Sequence, residues 1–202
     1  MIKIASIEVY QIDLPIKEGR YSWSNKNSVS VFDSTVVKIK TNHDIVGLGE
    51  VCTLGPSYLP AYPEGVRAGI KKFGKALLGL DPTELTKINA VMDANLKGHN
   101  YVKSPIDMAC WDILGKEQKV PVYQLLGGLV CDKLAVYASD IYWEENPRSM
   151  ASNAERIAKQ GIRTVKVHLG CLPPEQEVER IRVIREVLGP DVFLMIDLNA
   201  GY

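Results

Sequence analysis

Polar residues follow directly on two apolar strands predicted in the last third of the chain. Residues 192–196 are apolar without a break, which is typical of a strand buried on both faces, and the run stops at Asp197. Because side chains alternate along a strand, we expect Asn199 on the same side as Asp197. By the same alternation, Lys166 and His168 share one face of the strand upstream. An imidazole titrates near neutral pH and can take up a proton, and the carboxyl edge of a parallel sheet is where catalytic groups are displayed.

The pattern from residue 133 onward supplies the elements that would position these groups. It alternates strand, helix, strand, helix, strand over residues 134–138, 148–160, 163–169, 174–188 and 192–197. Such alternation is typical of a parallel α/β domain. Because the crossover between parallel strands is right-handed by default, the last two strands are expected side by side or nearly so, with both polar pairs at one mouth.

The first part of the chain has a different pattern. Residues 2–14, 34–41 and 45–51 alternate apolar and polar and predict an antiparallel three-stranded meander. Helical periodicity follows over residues 64–78, 81–97, 105–116 and 122–126, with Asp81 and Ser104 as predicted N-caps and Gly98 as a helix end. We therefore predict an α+β capping domain over residues 1–130 and a β/α domain over residues 131–202.

Two irregular stretches in the capping domain could form the walls of a pocket. The polar and aromatic segment GRYSWSNKNS, with Tyr21 and Trp23, is either a lid or a floppy surface loop. The stretch from residue 52 to 63 carries Tyr58 and is a second candidate wall. The helical acids Asp107 and Asp112 are five residues apart and so lie on different faces, which favours capping or hydrogen bonding between domains over catalysis.

Composition excludes several classes of function. The 24 basic and 24 acidic residues balance, without a run of five like charges, so no nucleic-acid partner is expected. The four cysteines are widely separated and lack a C-x-x-C pair, which favours reduced, buried thiols. No stretch approaches 18 apolar residues, and the N-terminus alternates like a strand rather than a signal peptide. We expect a soluble cytoplasmic protein with no membrane partner.

Several stretches together resemble the enolase superfamily, in its mandelate racemase and muconate lactonizing enzyme branch. They are GLGEV at the end of the meander, the helix SPIDMACWDILGK, the following PVYQLLGG, the strand VKVHLG, and IDLNAGY. Within that branch the chain looks most like enzymes acting on hydroxyproline and proline betaines, which include epimerases and cis-3-hydroxyproline dehydratases. The resemblance implies the capping domain followed by the first β/α units of a (β/α)₈ barrel.

The chemistry implied by the resemblance is abstraction of the proton α to a carboxylate, with Mg²⁺ holding the resulting enediolate. A Lys or His base combined with magnesium is already known for enolase-superfamily sites. Asp197 matches the first metal ligand, and Asn199 is its neighbour in the substrate site. Lys166 and His168 match a pair that usually reads Lys-x-Lys, so His168 stands where the proton-abstracting lysine is expected.

The site residues have alternative interpretations. His168 is either the base or a hydrogen-bonded structural residue, and Lys166 either orients the substrate carboxylate or is an ordinary surface lysine. Tyr21, Trp23 and Tyr58 would bind substrate, since an aromatic face attracts the quaternary ammonium of a betaine. The predicted activity is racemisation or epimerisation of a small carboxylate such as a proline betaine. Alternatives are a dehydratase of a hydroxy acid or hydroxyproline, and a catalytically silent binding or assembly module.

The extent of the chain carries a further expectation. A complete (β/α)₈ barrel takes roughly 250 residues, whereas residues 133–202 supply three predicted strands. We therefore expect the remaining metal-ligating acids and the base of the opposite face to lie beyond Tyr202. The chain by itself is expected to be inactive, and the full-length protein to be a homo-oligomer.

Overall fold

The computed structural model describes residues 1–17, 19–199 and 201. In chain order the elements are β1 (Ile4–Pro15), β2 (Tyr21–Ser22), β3 (Ser28–Val29), β4 (Val31–Thr41), β5 (Val46–Cys52), α1 (Pro63–Leu77), α2 (Leu85–Asn95), α3 (Asn100–Gln118), α4 (Val122–Leu125), β6 (Ala138–Ile141), α5 (Pro147–Lys159), β7 (Thr164–His168), α6 (Pro174–Leu188) and β8 (Phe193–Asp197). Among the described residues, no helix combines the length and the apolar character that a membrane crossing requires. The chain divides into two compact units, residues 1–15 with 31–132 and residues 16–30 with 133–202.

The first unit is built on the predicted meander, which is confirmed. Its sheet has the order β1-β4-β5 with both pairs antiparallel, and Val37 of β4 lies between Val9 of β1 and Gly49 of β5. The two long strands β1 and β4 pair from Ile4 opposite Thr41 to Pro15 opposite Val31, with one shift of register between Ile4 and Ser6. Helices α1, α2 and α3 contribute the other side of the core.

Helix α3 lies directly on β5 because two glycines leave room for its backbone. A Cβ on Gly47 would lie 2.1 Å from the carbonyl oxygen of Ala109, and one on Gly49 would lie 1.9 Å from that of Pro105. Side chains at these positions would push the helix off the sheet. The two glycines of the GLGEV stretch therefore set the distance between helix and sheet.

Helix α3 begins five residues before the predicted start, so Ser104 is not its N-cap and Pro105 lies inside the helix. The prediction was wrong because the residue before a proline is disfavoured in the α region, which marks a probable boundary. Tertiary contacts override that preference here. Val102 is fully buried, and Nζ of the buried Lys103 pairs with Asp93 at 2.6 Å.

Helix α2 begins at Leu85, so Asp81 is not its N-cap. Asp81 instead accepts hydrogen bonds from the backbone N–H and the hydroxyl of Thr83, at 2.9 and 2.6 Å, which forms a turn before the helix. A short polar side chain fits a turn as well as a cap, so the sequence signal does not distinguish the two.

The helical acids have structural roles, as the sequence favoured. Asp107 accepts from the side-chain amide of Asn89 at 2.7 Å, and Asp112 accepts from the backbone N–H of Leu48 at 2.9 Å. Both bonds lie within the first unit rather than between domains. Of the four free thiols, Cys110 is buried, whereas Cys52 and Cys131 are exposed, so the expectation of buried thiols is wrong for those two.

The second unit contains a parallel sheet of order β6-β7-β8, which confirms the predicted alternation of strands and helices. Val165 and Val167 of β7 point into a core with the apolar faces of α5 and α6. The first strand was misplaced: β6 starts at Ala138, the residue paired with Val165, and Leu134 and Val136 are exposed. The apolar alternation of residues 134–137 finds no strand partner in the described structure.

Strand β8 also differs from expectation, because it is not buried on both faces. Phe193 and Ile196 are 65% and 52% exposed. In the described sheet β8 pairs with β7 along one side and forms the edge. Because these two residues are three apart, they lie on opposite faces, so neither face of β8 is fully buried.

Residues 16–30, called the hairpin segment below, cluster with the second unit although the sequence placed them in the first domain. The segment contains the short antiparallel pair β2–β3 and a 3₁₀ turn over Ser24–Lys26. The backbone N–H of Ile16 donates to the carbonyl of Ser30 at 2.9 Å, which closes the base of the segment.

Candidate active site

The parallel pairing of β7 and β8 brings the predicted polar residues together. His168 is in register with Asp197, and Lys166 is in register with Met195, so these side chains share one face of the sheet. Nζ of Lys166 lies 2.9 Å from Oδ2 of Asp197. An ion pair thus lies at the carboxyl edge of the sheet. The sequence placed both residues at this edge but did not predict that they pair.

The Lys166–Asp197 pair is charged at neutral pH. Burial would raise the pKa of Asp197, but the hydrogen bonds from Lys166 and from the backbone N–H of Asn199 outweigh it and hold that pKa below its usual value. Burial would lower the pKa of Lys166, and the hydrogen bond to Asp197 reverses this, so the lysine pKa is raised. Each group therefore stabilises the charged form of the other.

His168 is 1% exposed and both of its ring nitrogens have hydrogen-bond partners. Nε2 lies 2.8 Å from the hydroxyl of Ser139, and Nδ1 lies 3.1 Å from the side-chain nitrogen of Asn199. The same nitrogen of Asn199 donates to the backbone carbonyl of Asp197 at 3.2 Å, which fixes the orientation of the amide. Since an amide nitrogen only donates, Nδ1 of His168 is the acceptor and the proton resides on Nε2.

The environment of His168 favours the neutral ring. Burial lowers its pKa, and the nearby charge of Lys166 lowers it further, against smaller opposing effects of Asp197, Ser139 and Asn199. The imidazole is therefore uncharged at neutral pH.

Asn199 lies in a turn after β8, so strand alternation does not account for its position in the site. Strand β8 ends at Asp197, and Asn199 has a left-handed backbone with φ of 50°. Asparagine tolerates this conformation better than most residues. The hydroxyl of Ser24, from the hairpin segment, donates to the carbonyl of Asn199 and holds the turn in place.

Aromatic rings surround His168. The ring centroid of Tyr21 is 5.9 Å from that of His168, and the centroid of Tyr142 is 5.3 Å from it. Trp23 is buried beside Tyr21, with ring centroids 6.0 Å apart. Tyr21 and Trp23 thus pack at the strand ends, while Tyr58 belongs to the first unit and its role stays a prediction.

Sequence reasoning missed three residues of the site, Ser24, Ser139 and Tyr142. Ser139 lies in β6 and Tyr142 directly after it, so the misplacement of that strand hid both. A correct boundary would have put polar and aromatic side chains at a third strand end. Ser24 contacts Asn199 across 175 residues of sequence, and no local pattern reports such a contact.

Comparison with known proteins places this architecture in a family. Residues 11–127 match the mandelate racemase / muconate lactonizing enzyme N-terminal domain, and residues 149–202 match the enolase C-terminal domain-like family. The chain belongs to the mandelate racemase / muconate lactonizing enzyme family.

Relatives in this family are enzymes. A cis-3-hydroxy-L-proline dehydratase of Roseibium aggregatum is 45% identical over 201 residues, and an N-succinyl-L-Arg/Lys racemase of Bacillus cereus is 30% identical over 201 residues. Both alignments cover 100% of this chain and 54% and 53% of the relative. A member of the enolase superfamily from Roseovarius nubinhibens, solved in complex with magnesium, superposes with a TM-score of 0.87 at 39% identity, over 100% of this chain and 54% of that one. The chain spans about half the length of the relatives it matches.

The described residues fit a divalent cation in part. The Asp197 carboxylate is an oxygen ligand of the kind that magnesium takes, and it lies at the strand end in reach of solvent. Within residues 1–17, 19–199 and 201, however, no group of three or more His, Cys, Asp or Glu side chains could hold a metal ion. This part of the chain supplies one carboxylate and not a full coordination shell.

Proposed function

We propose that the chain is part of an enzyme that removes the proton α to the carboxylate of an amino-acid derivative. The observation that carries the proposal is the Lys166–Asp197 ion pair, 2.9 Å apart, beside His168 at the carboxyl edge of parallel strands. Membership of the family supports it. In this proposal residues 133–202 form the first units of a (β/α)₈ barrel, and further active-site groups come from outside the described residues.

Lys166 and Asp197 supply the charges that the reaction needs. Lys166 is a partly exposed cation, so it would bind and orient the substrate carboxylate. Asp197 would hold the divalent cation with one oxygen ligand, and Asn199 would keep that carboxylate in place through its backbone N–H. The cation, when bound, supplies positive charge that offsets the negative charge developing on the substrate carboxylate.

His168 is the proposed base on the Lys166 face. Its ring is neutral at physiological pH, as a base must be, and its free electron pair is on Nδ1. That electron pair is directed at Asn199, so proton uptake requires the Asn199–His168 hydrogen bond to open. Substrate binding beside Asp197 would have to displace the Asn199 amide for His168 to act.

Two reactions begin with this proton abstraction. Epimerisation returns a proton from the other face, whereas dehydration expels the hydroxyl of the neighbouring carbon. Dehydration is favoured by the 45% identity to a hydroxyproline dehydratase, against 30% to the racemase. The rings of Tyr21 and Tyr142 at His168 suit either a pyrrolidinium or a betaine ammonium by cation–π attraction.

The test uses the complete protein in deuterated buffer with Mg²⁺. Cis-3-hydroxy-L-proline, a proline betaine and an N-succinyl amino acid are followed by mass spectrometry and chiral chromatography, with and without chelator. Loss of water from the first supports the dehydratase, and deuterium uptake with inversion in the others supports the epimerase. Absence of chelator-sensitive exchange in all three would show that the scaffold is silent and overturn the proposal.

Variants of His168 and Lys166 test their proposed roles as the base and as the group that binds the substrate carboxylate. His168→Asn is expected to abolish α-proton exchange, and Lys166→Met to raise KM as well as lower kcat. Lys159→Met, at the exposed end of α5, is the matched control and should leave both constants unchanged. Exchange at the wild-type rate in His168→Asn would make this histidine structural.

A further inference from the structure

The loop that follows β7, residues 169–172, is held by hydrogen bonds to a single buried carboxylate. Oε1 of Glu177, in the first turn of α6, accepts hydrogen bonds from the backbone N–H groups of Gly170, Cys171 and Leu172, at 3.2, 3.0 and 3.0 Å. The Glu177 residue is 4% exposed. Three donors on one anionic oxygen form a strong, charge-assisted anchor for a loop of four residues.

The free-energy cost of burying this carboxylate is offset in part by nearby charge, although its Oε2 has no hydrogen-bond partner among the described residues. The carboxylate lies at the N-terminal end of α6, where the helix dipole favours negative charge. The guanidinium Nε of the buried Arg180 is 4.0 Å from Oε2 of Glu177. Arg180 is itself held by the carbonyl of Glu145, at 2.9 Å from its Nη2. The anchor is thus built into the packed interior of the second unit.

The anchored loop contacts two parts of the candidate active site, the end of β8 with its turn and the hairpin segment. The backbone N–H of Leu169 donates to the carbonyl of Asp197 at 2.9 Å. Gly170, with φ of +94°, lies so close to the turn after β8 that a Cβ there would be 2.3 Å from the carbonyl oxygen of Leu198. The thiol of Cys171 donates to the carbonyl of Trp23, 3.6 Å away, in the hairpin segment that carries Tyr21.

We propose that Glu177 is a positioning residue for the α-proton abstraction. Glu177 fixes the position of residues 170–172. This loop in turn holds the end of β7, with Lys166 and His168, in place beside Asp197 and the hairpin segment. Glu177 touches neither substrate nor metal, and it acts through the loop. The inference rests on the proposed function.

The test compares Glu177→Ala and Glu177→Gln in the complete protein with Glu175→Ala as the matched control. Glu175 lies in the same helical turn and is exposed. Four quantities are measured: kcat and KM for α-proton exchange at saturating Mg²⁺, the melting temperature, and the hydrogen exchange of the amides of residues 170–172. Displacement of reacting groups by about 1 Å lowers rates on the order of 100-fold.

In Glu177→Ala we expect kcat to fall about 100-fold with KM changed less than about three-fold, and the three loop amides to exchange faster while those of α6 keep their protection. Glu177→Gln keeps an acceptor oxygen without the charge, so its kcat should lie between those of wild type and Glu177→Ala. Glu175→Ala should leave kcat, KM and the exchange of the three amides unchanged. A Glu177→Ala variant that melts at a lower temperature but keeps its kcat, or keeps the protection of the three amides, overturns the proposal.

Two further outcomes are interpretable. If Glu177→Ala does not fold, Glu177→Gln decides: a lower kcat with faster exchange at the three amides supports the positioning role, and unchanged values overturn it. If the wild-type protein shows no α-proton exchange, the proposed function fails. The amide exchange then still shows whether Glu177 holds the loop.

Discussion

The side-chain amide of Asn199 donates to Nδ1 of His168 across 3.1 Å and thereby determines which ring nitrogen carries the proton. Because the amide also donates to the carbonyl of Asp197, its orientation is not reversible without losing a hydrogen bond. The tautomer of His168 is therefore set by the turn after β8, and not by β7 on which the histidine lies.

Replacing Asn199 by aspartate should reverse this tautomer. A carboxylate only accepts, so in Asn199→Asp the proton is expected on Nδ1, and the added negative charge should raise the pKa of His168. Nitrogen-15 NMR of the histidine side chains measures both quantities, with His168→Asn to assign the signals. A wild-type ring with its proton on Nδ1 would contradict the hydrogen-bond assignment.

The lowered pKa of His168 also predicts a pH dependence of stability. The unfolded chain protonates this histidine near its ordinary pKa of about 6.5, and the folded protein does so only at lower pH. Between these two pKa values the unfolded state binds more protons, so the free energy of unfolding should fall as the pH drops through this window. Chemical denaturation from pH 7.5 to 5 measures it. The fall should be smaller in His168→Asn, and identical pH profiles for the two proteins would exclude this source.

Asp197→Ala should abolish metal-dependent proton exchange in the complete protein, because it removes the proposed metal ligand and takes away the ion-pair partner of Lys166. Isothermal titration with Mg²⁺ should show weaker binding or none. Asp191→Ala removes an exposed carboxylate just before β8 and serves as the control, with binding unchanged. Turnover at the wild-type level in Asp197→Ala would remove this residue from the metal site.

Replacing glycine by alanine should have opposite effects on stability at Gly49, where α3 packs on β5, and at Gly74, which lies away from that contact in α1. Gly49→Ala places a Cβ 1.9 Å from the Pro105 carbonyl oxygen, so it should lower the free energy of unfolding by about 1–3 kcal/mol or more. Gly74→Ala, inside α1, meets its nearest atom at 3.9 Å and should raise it by about 0.5–1 kcal/mol. Thermal and urea denaturation compare the two. Equal effects at both positions would show that the close approach is not maintained in solution.

Residues 1–202 expressed alone should associate and show no α-proton exchange. The open side of α6 and β8 exposes a contiguous apolar surface that includes Val178, Ile196 and Leu198, and an unpaired strand edge recruits other chains. A single carboxylate also gives Mg²⁺ too few ligands for tight binding. Size-exclusion chromatography and the exchange assay test this. A monodisperse monomer with metal-dependent exchange would refute it.

Local sequence patterns correctly predicted the features that depend on residues close together in the chain. The meander, α6 and the shared face of Lys166 and His168 follow from side-chain periodicity alone. The start of α3 was wrong because burial of Val102 and Lys103 outweighs the local preference before Pro105. Burial of this kind depends on residues far away in sequence.

The candidate site was predicted in its charges and not in its hydrogen bonds. Lys166 and Asp197 were placed at one edge of the sheet from strand order, which periodicity can supply, but their ion pair was not predicted. The saturation of both nitrogens of His168 by Ser139 and Asn199 needs a correct β6 boundary and a left-handed turn. In the sequence, neither the β6 boundary nor the left-handed turn has a pattern that distinguishes it from an ordinary loop.

The hairpin segment leaves the first sheet and returns to it at one point. Pro15 faces Val31 across β1 and β4, and the next pair, Ile16 and Ser30, is closed by a backbone hydrogen bond. A loop whose ends are already joined can change in length and composition at little entropic cost to the strands that carry it. Mutation can therefore reshape the surface around His168 while the register of the meander is inherited intact.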